Sequence, residues 1–183
     1  MSEATADDER FGSIYDTHRV ALVAYCRRRL PRDLVDDAMA DVFLTAWRRV
    51  DQIPSGSELP WLYGVARNVI ANQLRGFSRR SRLSARFLSR RSDAEPDTAL
   101  AQAEGDQTVL DALATLSASD QELLLLRAWE ELTSAEMAVV LGIAASAVDM
   151  RLSRARRRFE RALHAVGYVP LGAGVRVAEE GSS

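Results

Sequence analysis

The chain has 183 residues and a mass of 20.2 kDa, with 47% hydrophobic residues and a formal net charge of −2. That is room for one ordinary domain or two small ones, with enough apolar content to fill their cores, so wholesale disorder is excluded. A uniformly basic, histone-like binder is excluded too, although all 24 basic residues are arginine, whose planar fork donates bidentately to phosphate and guanine.

Cys26 is the single cysteine, so no internal disulfide and no cysteine metal cluster is possible; His18 and His164 lack partners at metal-ligand spacing. No metal and no cofactor is expected. The N-terminal MSEATADDER lacks the basic-then-apolar pattern of a signal peptide, and no apolar run reaches membrane-spanning length. The expectation is a cytoplasmic protein with no membrane partner.

In chain order, helical periodicity runs from about Phe11 to Phe77 without strand-like alternation. FGSIYDTHRVALVAYCRRRL places Phe11, Ile14, Tyr15, His18, Leu22 and Tyr25 along one side, and Pro31 closes the segment. DLVDDAMADVFLTAWRRV puts Val35, Met39, Val42, Ala46 and Val50 on one stripe with Phe43 and Trp47 beside it. DQIPSGSELP is a loop, and WLYGVARNVIANQL resumes the helical period. Residues 78–108 carry six arginines and then an acidic, Pro- and Gly-containing patch, which reads as a tether longer than compact domains contain internally. Periodicity returns from Val109 to about Val166. The stretch GYVPLGAGVRVAEEGSS is unpatterned and reads as a disordered tail. The fold expected is all-α: an N-terminal helical bundle over 8–78, a flexible linker over 79–108, a C-terminal helix-turn-helix domain over 109–166 and a tail over 167–183.

The C-terminal pattern carries the strongest chemistry. Thr133 and Glu136 form a T-x-x-E capping box, Gly142 can take the left-handed conformation that ends a helix, and Val148 and Leu152 anchor the next helix. Ser146, Asp149, Met150, Ser153, Arg154 and Arg157 are then left largely outward, with Arg151, Arg156 and Arg158 flanking them. Such a helix fits the major groove, its first turns reading base edges and its arginines gripping phosphates. The basic charge is local because phosphate is met locally.

At this point the residues resemble a family. LATLSASDQELLLLRAWEELTSAEMAVVLGIAASAVDMRLSRARRRFERAL resembles the promoter-binding C-terminal region of the extracytoplasmic-function sigma factors of bacterial RNA polymerase. DDAMADVFLTAWRRV is similar to the family's clamp-binding helix, and WLYGVARNVIANQLR to its W-L-x-x-I-A-x-N-x-x-x-D-x-x-R signature. The resemblance covers about residues 11–164. It implies a dissociable specificity subunit without catalysis of its own, whose partners are core RNA polymerase, through the clamp and flap of that enzyme, and promoter DNA. An anti-sigma factor is a further partner the family commonly has.

By the same resemblance Asp37, Asp41, Leu44 and Arg48, which share a helix face at spacings of four, three and four, would dock on the clamp. Loop 51–60 and helix 61–76 would handle the melted minus-ten element, with Asn68 at the matching asparagine position. Arg67, Arg75, Arg79 and Arg80 would contact phosphate there and Phe77 would be an exposed ring, whereas Trp61 and Tyr63 read as packing residues. Ser146, Asp149, Met150, Arg151, Ser153, Arg154 and Arg157 would meet the upstream minus-thirty-five element.

The chain departs from the family at Ala40, where Gln is usual, at Ser117 or Ala118, where Pro is usual, and at Ala144, where Ser or Thr caps the recognition helix. It departs again at Asp149, where Lys is common; an acid there repels phosphate but can accept from a cytosine amino group. Two other functions fit the residues less well. A stand-alone helix-turn-helix regulator would need a ligand pocket or dimer seam in residues 11–77, and no phosphate loop or heptad is legible there. An enzyme would need a metal-binding or nucleophilic set, and Asp36, Asp37 and Asp41 on one helix read instead as a docking face.

Overall fold

The computed structural model describes the backbone of residues 3–87 and 107–166, with side chains described over 6–75 and 107–166. The described residues are all-helical. They form α1 (Glu3–Arg27), α2 (Arg32–Arg48), a 3-10 turn (Val50–Gln52), α3 (Glu58–Phe87), α4 (Gln107–Ala114), α5 (Ala118–Ala128), α6 (Ser134–Leu141) and α7 (Ala145–Ala165).

Local chemistry sets the boundaries. Pro31 stands at the N-cap of α2 with extended backbone, φ −52° and ψ 147°, so α1 cannot run on into α2. Gly56 takes φ 78° in the loop before α3, and its N–H donates to Glu58 Oε1 at 2.9 Å. Bonds from its own backbone N–H and from Gly56 hold the Glu58 carboxyl below the ordinary glutamate range. Ser117, one of the two positions where the resemblance expects proline, caps α5 by accepting from the Asp120 N–H.

α1, α2 and α3 pack around Leu22, Tyr25, Cys26, Ala38, Val42, Ala46, Leu62 and Ala66, all fully buried. α4 to α7 pack around Leu123, Leu126, Met137, Val148 and Ala155. Burial pushes the Cys26 thiol up to about 11, which makes it an inert core residue.

The two halves are docked on each other, which the sequence pattern did not indicate. One apolar cluster runs from Leu22 and Tyr63 through Leu123 and Met137 to Val148 and Leu152. α3 lies directly on α6: a Cβ added at Gly64 would meet the Val140 carbonyl oxygen at 3.3 Å. Beside this seam the end of α1 meets the end of α5. Arg29 pairs with Glu130 at 3.0 Å and Glu122 at 3.2 Å, and Arg28 pairs with Glu130. The Tyr25 hydroxyl donates to Glu122 at 2.9 Å while its ring stacks on Tyr63 at 4.6 Å.

The element boundaries differ from the expected ones in one respect of consequence. The tether was expected from residue 79, but α3 stays helical to Phe87. The reason is compositional: SRRSRLSARF contains no proline or glycine, and Arg, Leu and Ala favour helix. α4 likewise begins at Gln107, two residues before the expected start of the second domain. The remainder of the expected tether, 88–106, and the expected tail, 167–183, lie outside the described residues.

Candidate nucleic-acid and protein-docking surfaces

On α2 one face is buried through Val35, Ala38, Met39, Val42, Phe43 and Ala46. The opposite face exposes Asp37, Asp41, Leu44 and Arg48, so the four residues expected to act together do share a surface. Leu44 is 46% exposed and Trp47 beside it 44%, which gives this charged face an apolar patch. The sequence pattern places Leu44 on this face but sets Trp47 beside the apolar stripe, so the exposure of the indole is the unexpected part. Trp47 is held edge-on by Phe11 at 5.1 Å, and Tyr15, 37% exposed, packs on Phe43 at 4.5 Å. The result is a stiff aromatic edge of a kind that loses little conformational entropy on contact.

On α3, Arg67 and Asn68 are exposed, while Tyr63 is buried and Trp61 packs partly against the core, as their packing assignment expected. Desolvation raises the Tyr63 hydroxyl to about 12, so it stays protonated. Arg75 is exposed and donates to Asn72 Oδ1. Phe77, Arg79 and Arg80 lie on the backbone of α3, but their side chains fall outside the described residues.

The loop ahead of this face is held by a residue that no motif pointed to. The Arg10 guanidinium on α1 donates to the Val50 carbonyl at 2.7 Å and to the Ile53 carbonyl. It thereby fixes the 3-10 turn and the entry to the loop from a position forty residues earlier. Only the fold reveals this partner, since the acceptors are main-chain atoms.

The helix-turn-helix is built as its caps require. Thr133 Oγ1 accepts from the Glu136 N–H while the Glu136 carboxylate accepts from the Thr133 N–H at 2.7 Å. The Thr133 hydroxyl also donates to the Glu136 carboxylate at 2.7 Å, and this bond together with that from the Thr133 N–H holds the carboxyl below the ordinary glutamate range. Gly142 takes φ 64°, ψ 37°, and the Ile143 N–H closes onto the Ala138 carbonyl at 3.2 Å. Ala144 then caps α7 without any side-chain bond, and Ser146 does not replace it.

α7 buries Val148, Leu152 and Ala155 and exposes Ser146, Asp149, Met150, Arg151, Ser153, Arg154 and Arg157. All seven residues expected on the upstream-element face are therefore brought to one exposed helix. Two details were not legible. Arg158 turns back to Asp120 at 2.6 Å, tying α7 to α5. Arg161 and His164 extend the basic face by lining an open cleft with Arg154, Arg157 and Glu160. Among the described residues no group of three or more His, Cys, Asp or Glu could hold a metal ion, and no helix is long and apolar enough to cross a membrane.

The comparisons with known proteins fall on these same segments. Residues 14–80 match the model of Sigma-70 region 2, and residues 106–159 match that of Sigma-70, region 4. The chain is 28% identical over 167 residues to the RNA polymerase sigma factor NccH of Alcaligenes xylosoxydans xylosoxydans, covering 85% of this chain and 87% of that one. It is 28% identical over 176 residues to the ECF RNA polymerase sigma factor SigL of Mycobacterium tuberculosis, covering 90% of this chain and 94% of that one. Among solved structures it resembles CnrH in complex with the cytosolic domain of CnrY, with a TM-score of 0.57 and 29% identity over 85% of this chain and 88% of that one.

Proposed function

The chain belongs to the sigma-70 family as an extracytoplasmic-function RNA polymerase sigma factor, and from that premise we propose how its surfaces divide the work of binding core polymerase and promoter DNA. The exposed α2 face of Asp37, Asp41, Leu44 and Arg48 docks on the clamp of the polymerase, with Trp47 as the apolar anchor beside it. Arg67, Asn68 and Arg75 on α3, continued by Phe77, Arg79 and Arg80, meet the melted minus-ten element. The amide of Asn68 can both donate to and accept from a base edge, and the arginines neutralise phosphates.

α7 enters the major groove of the minus-thirty-five element. Ser146, Asp149, Met150 and Ser153 face base edges, and Arg151, Arg154 and Arg157 grip the backbone. The chain acts in the cytoplasm and carries out no chemistry itself, and an anti-sigma factor is a further partner, as NepR is for the sigma factor RpoE of Bartonella quintana. Residues 79–108 bridge the two promoter contacts.

The observation that carries this reading is the coexistence, in one chain, of a capped helix-turn-helix with a basic exposed second helix and of an acidic–apolar docking face on α2. The test is reconstitution: the purified chain is mixed with core polymerase and followed first by co-elution and then by promoter-dependent transcript. A stable complex that loses affinity when Asp41 and Arg48 are both charge-reversed is expected. Failure to co-elute would overturn the assignment of α2.

A further inference from the structure

Ser134 opens α6 and Asp149 is the fifth residue of α7, and the Ser134 hydroxyl donates to Asp149 Oδ1 at 2.5 Å. The bond crosses the helix-turn-helix on its exposed side. It ties the first residue of one helix to an acid in the second turn of the other.

An acid on this helix needs explaining. α7 carries arginines at 151, 154, 156, 157, 158 and 161, and a carboxylate set against DNA phosphates is repelled. Its own helix does not neutralise it. The residues three and four positions away are Ser146, Ala145, Leu152 and Ser153, none of them cationic. Among the described residues Asp149 enters no ion pair. Its partner is a neutral hydroxyl, which occupies one oxygen and holds the side chain in one orientation.

The second oxygen remains as an acceptor beside exposed Ser146, Met150 and Ser153. In the major groove an acceptor is satisfied by an amino group; aspartate pairs with the N4 amino group of cytosine, whereas the adenine amino group stands beside the N7 acceptor, which repels a carboxylate. Against guanine or thymine it would face oxygen or nitrogen acceptors and leave a desolvated charge unpaired, which penalises those bases strongly. Holding the carboxylate in place beforehand lowers the entropy lost on contact.

We propose that Asp149, oriented by Ser134, is a specificity-determining residue that selects a cytosine in the upstream promoter element. This rests on α7 being the recognition helix. Ser134 is a positioning residue and Asp149 the reading residue.

The test is selection of duplexes randomised across the upstream element, using the full chain reconstituted with core polymerase. Wild type is compared with Asp149→Ala, Asp149→Asn, Ser134→Ala and Ser134→Thr. Wild type should enrich cytosine at one position by about 5- to 100-fold over other bases. Asp149→Ala should flatten that position alone. Asp149→Asn should move its preference to adenine, which pairs with an amide in the major groove. Ser134→Ala should weaken the cytosine preference several-fold, and Ser134→Thr, which keeps the hydroxyl, should restore it.

An Asp149→Ala selection identical to wild type overturns the proposal, as does one flattened evenly at every position. If wild type itself enriches no sequence, α7 is not the recognition helix, and the reading beneath the proposal fails with it.

Discussion

Arg29 at the end of α1 and Glu130 after α5 meet at 3.0 Å across the junction between the two halves of the chain, their side chains 9% and 2% exposed. Burial alone works against the Arg29 charge, but Tyr25, Glu122 and Glu130 outweigh it and hold the guanidinium ionised. The Arg29 guanidinium also lies 3.7 Å over the Tyr25 ring, and Arg28 lies over Trp129 at 5.6 Å. Glu130 therefore answers two largely covered cations at once. Replacing Glu130 with alanine should lower unfolding stability by about 3 kcal/mol, because Arg28 loses its counter-charge and Arg29 keeps only Glu122. Urea denaturation checks this, and an unchanged midpoint would show that the arginines reach water by another route.

Gly64 allows α3 and α6 to touch through their backbones. In an ordinary helix interior, alanine in place of glycine adds about 1 kcal/mol. Here the added methyl meets the Val140 carbonyl, so Gly64→Ala should forfeit that gain. Gly64→Leu should push the helices apart. Small-angle scattering should then report a larger radius of gyration for the leucine variant, with helix content by circular dichroism unchanged.

The ends of α6 and α7 offer paired tests. Ala144 leaves α7 uncapped, so Ala144→Ser should stabilise by about 1 kcal/mol. Thr133→Ala removes the existing cap and should cost about as much. Glu136 has its carboxyl lowered in the folded chain, so its contribution is present above the ordinary glutamate value of about 4.3 and is lost as pH falls through the lowered value. Thermal melts across that acid range should show a smaller pH dependence in Thr133→Ala than in the wild type.

Arg154 and Arg157 are exposed on α7 and free to meet phosphate. Alanine at both should weaken binding of the reconstituted complex to upstream-element DNA. It should also reduce the slope of log affinity against log salt by about 2. The comparison of slopes, more than the affinity at one salt concentration, identifies phosphate contacts.

The α2 face gives a separate measurement. Trp47→Ala and Leu44→Ala remove apolar area that is already about half exposed, so they should lower stability by only about 1–2 kcal/mol each, the larger loss at Trp47, which also gives up its contact with Phe11. The same substitutions should weaken the core-polymerase complex at least tenfold, read by titration of labelled chain with core enzyme. A large fall in melting temperature instead would make Trp47 part of the fold and remove it from the interface.

Much of this architecture was legible because it is local. The capping box at Thr133 and Glu136, the left-handed Gly142, and the apolar spacing of Val148 and Leu152 each act within a few residues, and the helix-turn-helix is found where they point. The docking of the halves was not legible, since Arg28 and Arg29 lie about a hundred residues from Glu130 and a charged run at a helix end reads as solvated surface. The backbone of α3 runs on to Phe87, beyond the point where arginine and serine density suggests a tether, because no breaker is present there. Asp149 was legible as an outward acid, but its serine partner belongs to another helix and required the crossing of α6 and α7.

The clasp between Arg10 and the carbonyls of Val50 and Ile53 gives the front of the chain an importance its position conceals. Trimming the chain to begin at Phe11 would leave every recognisable motif intact while unfastening a turn on the far side of α2. A shortened version prepared for convenience could thus keep its helices and lose the shape of the strip leading into α3, a defect visible by amide exchange around Ile53 rather than by melting.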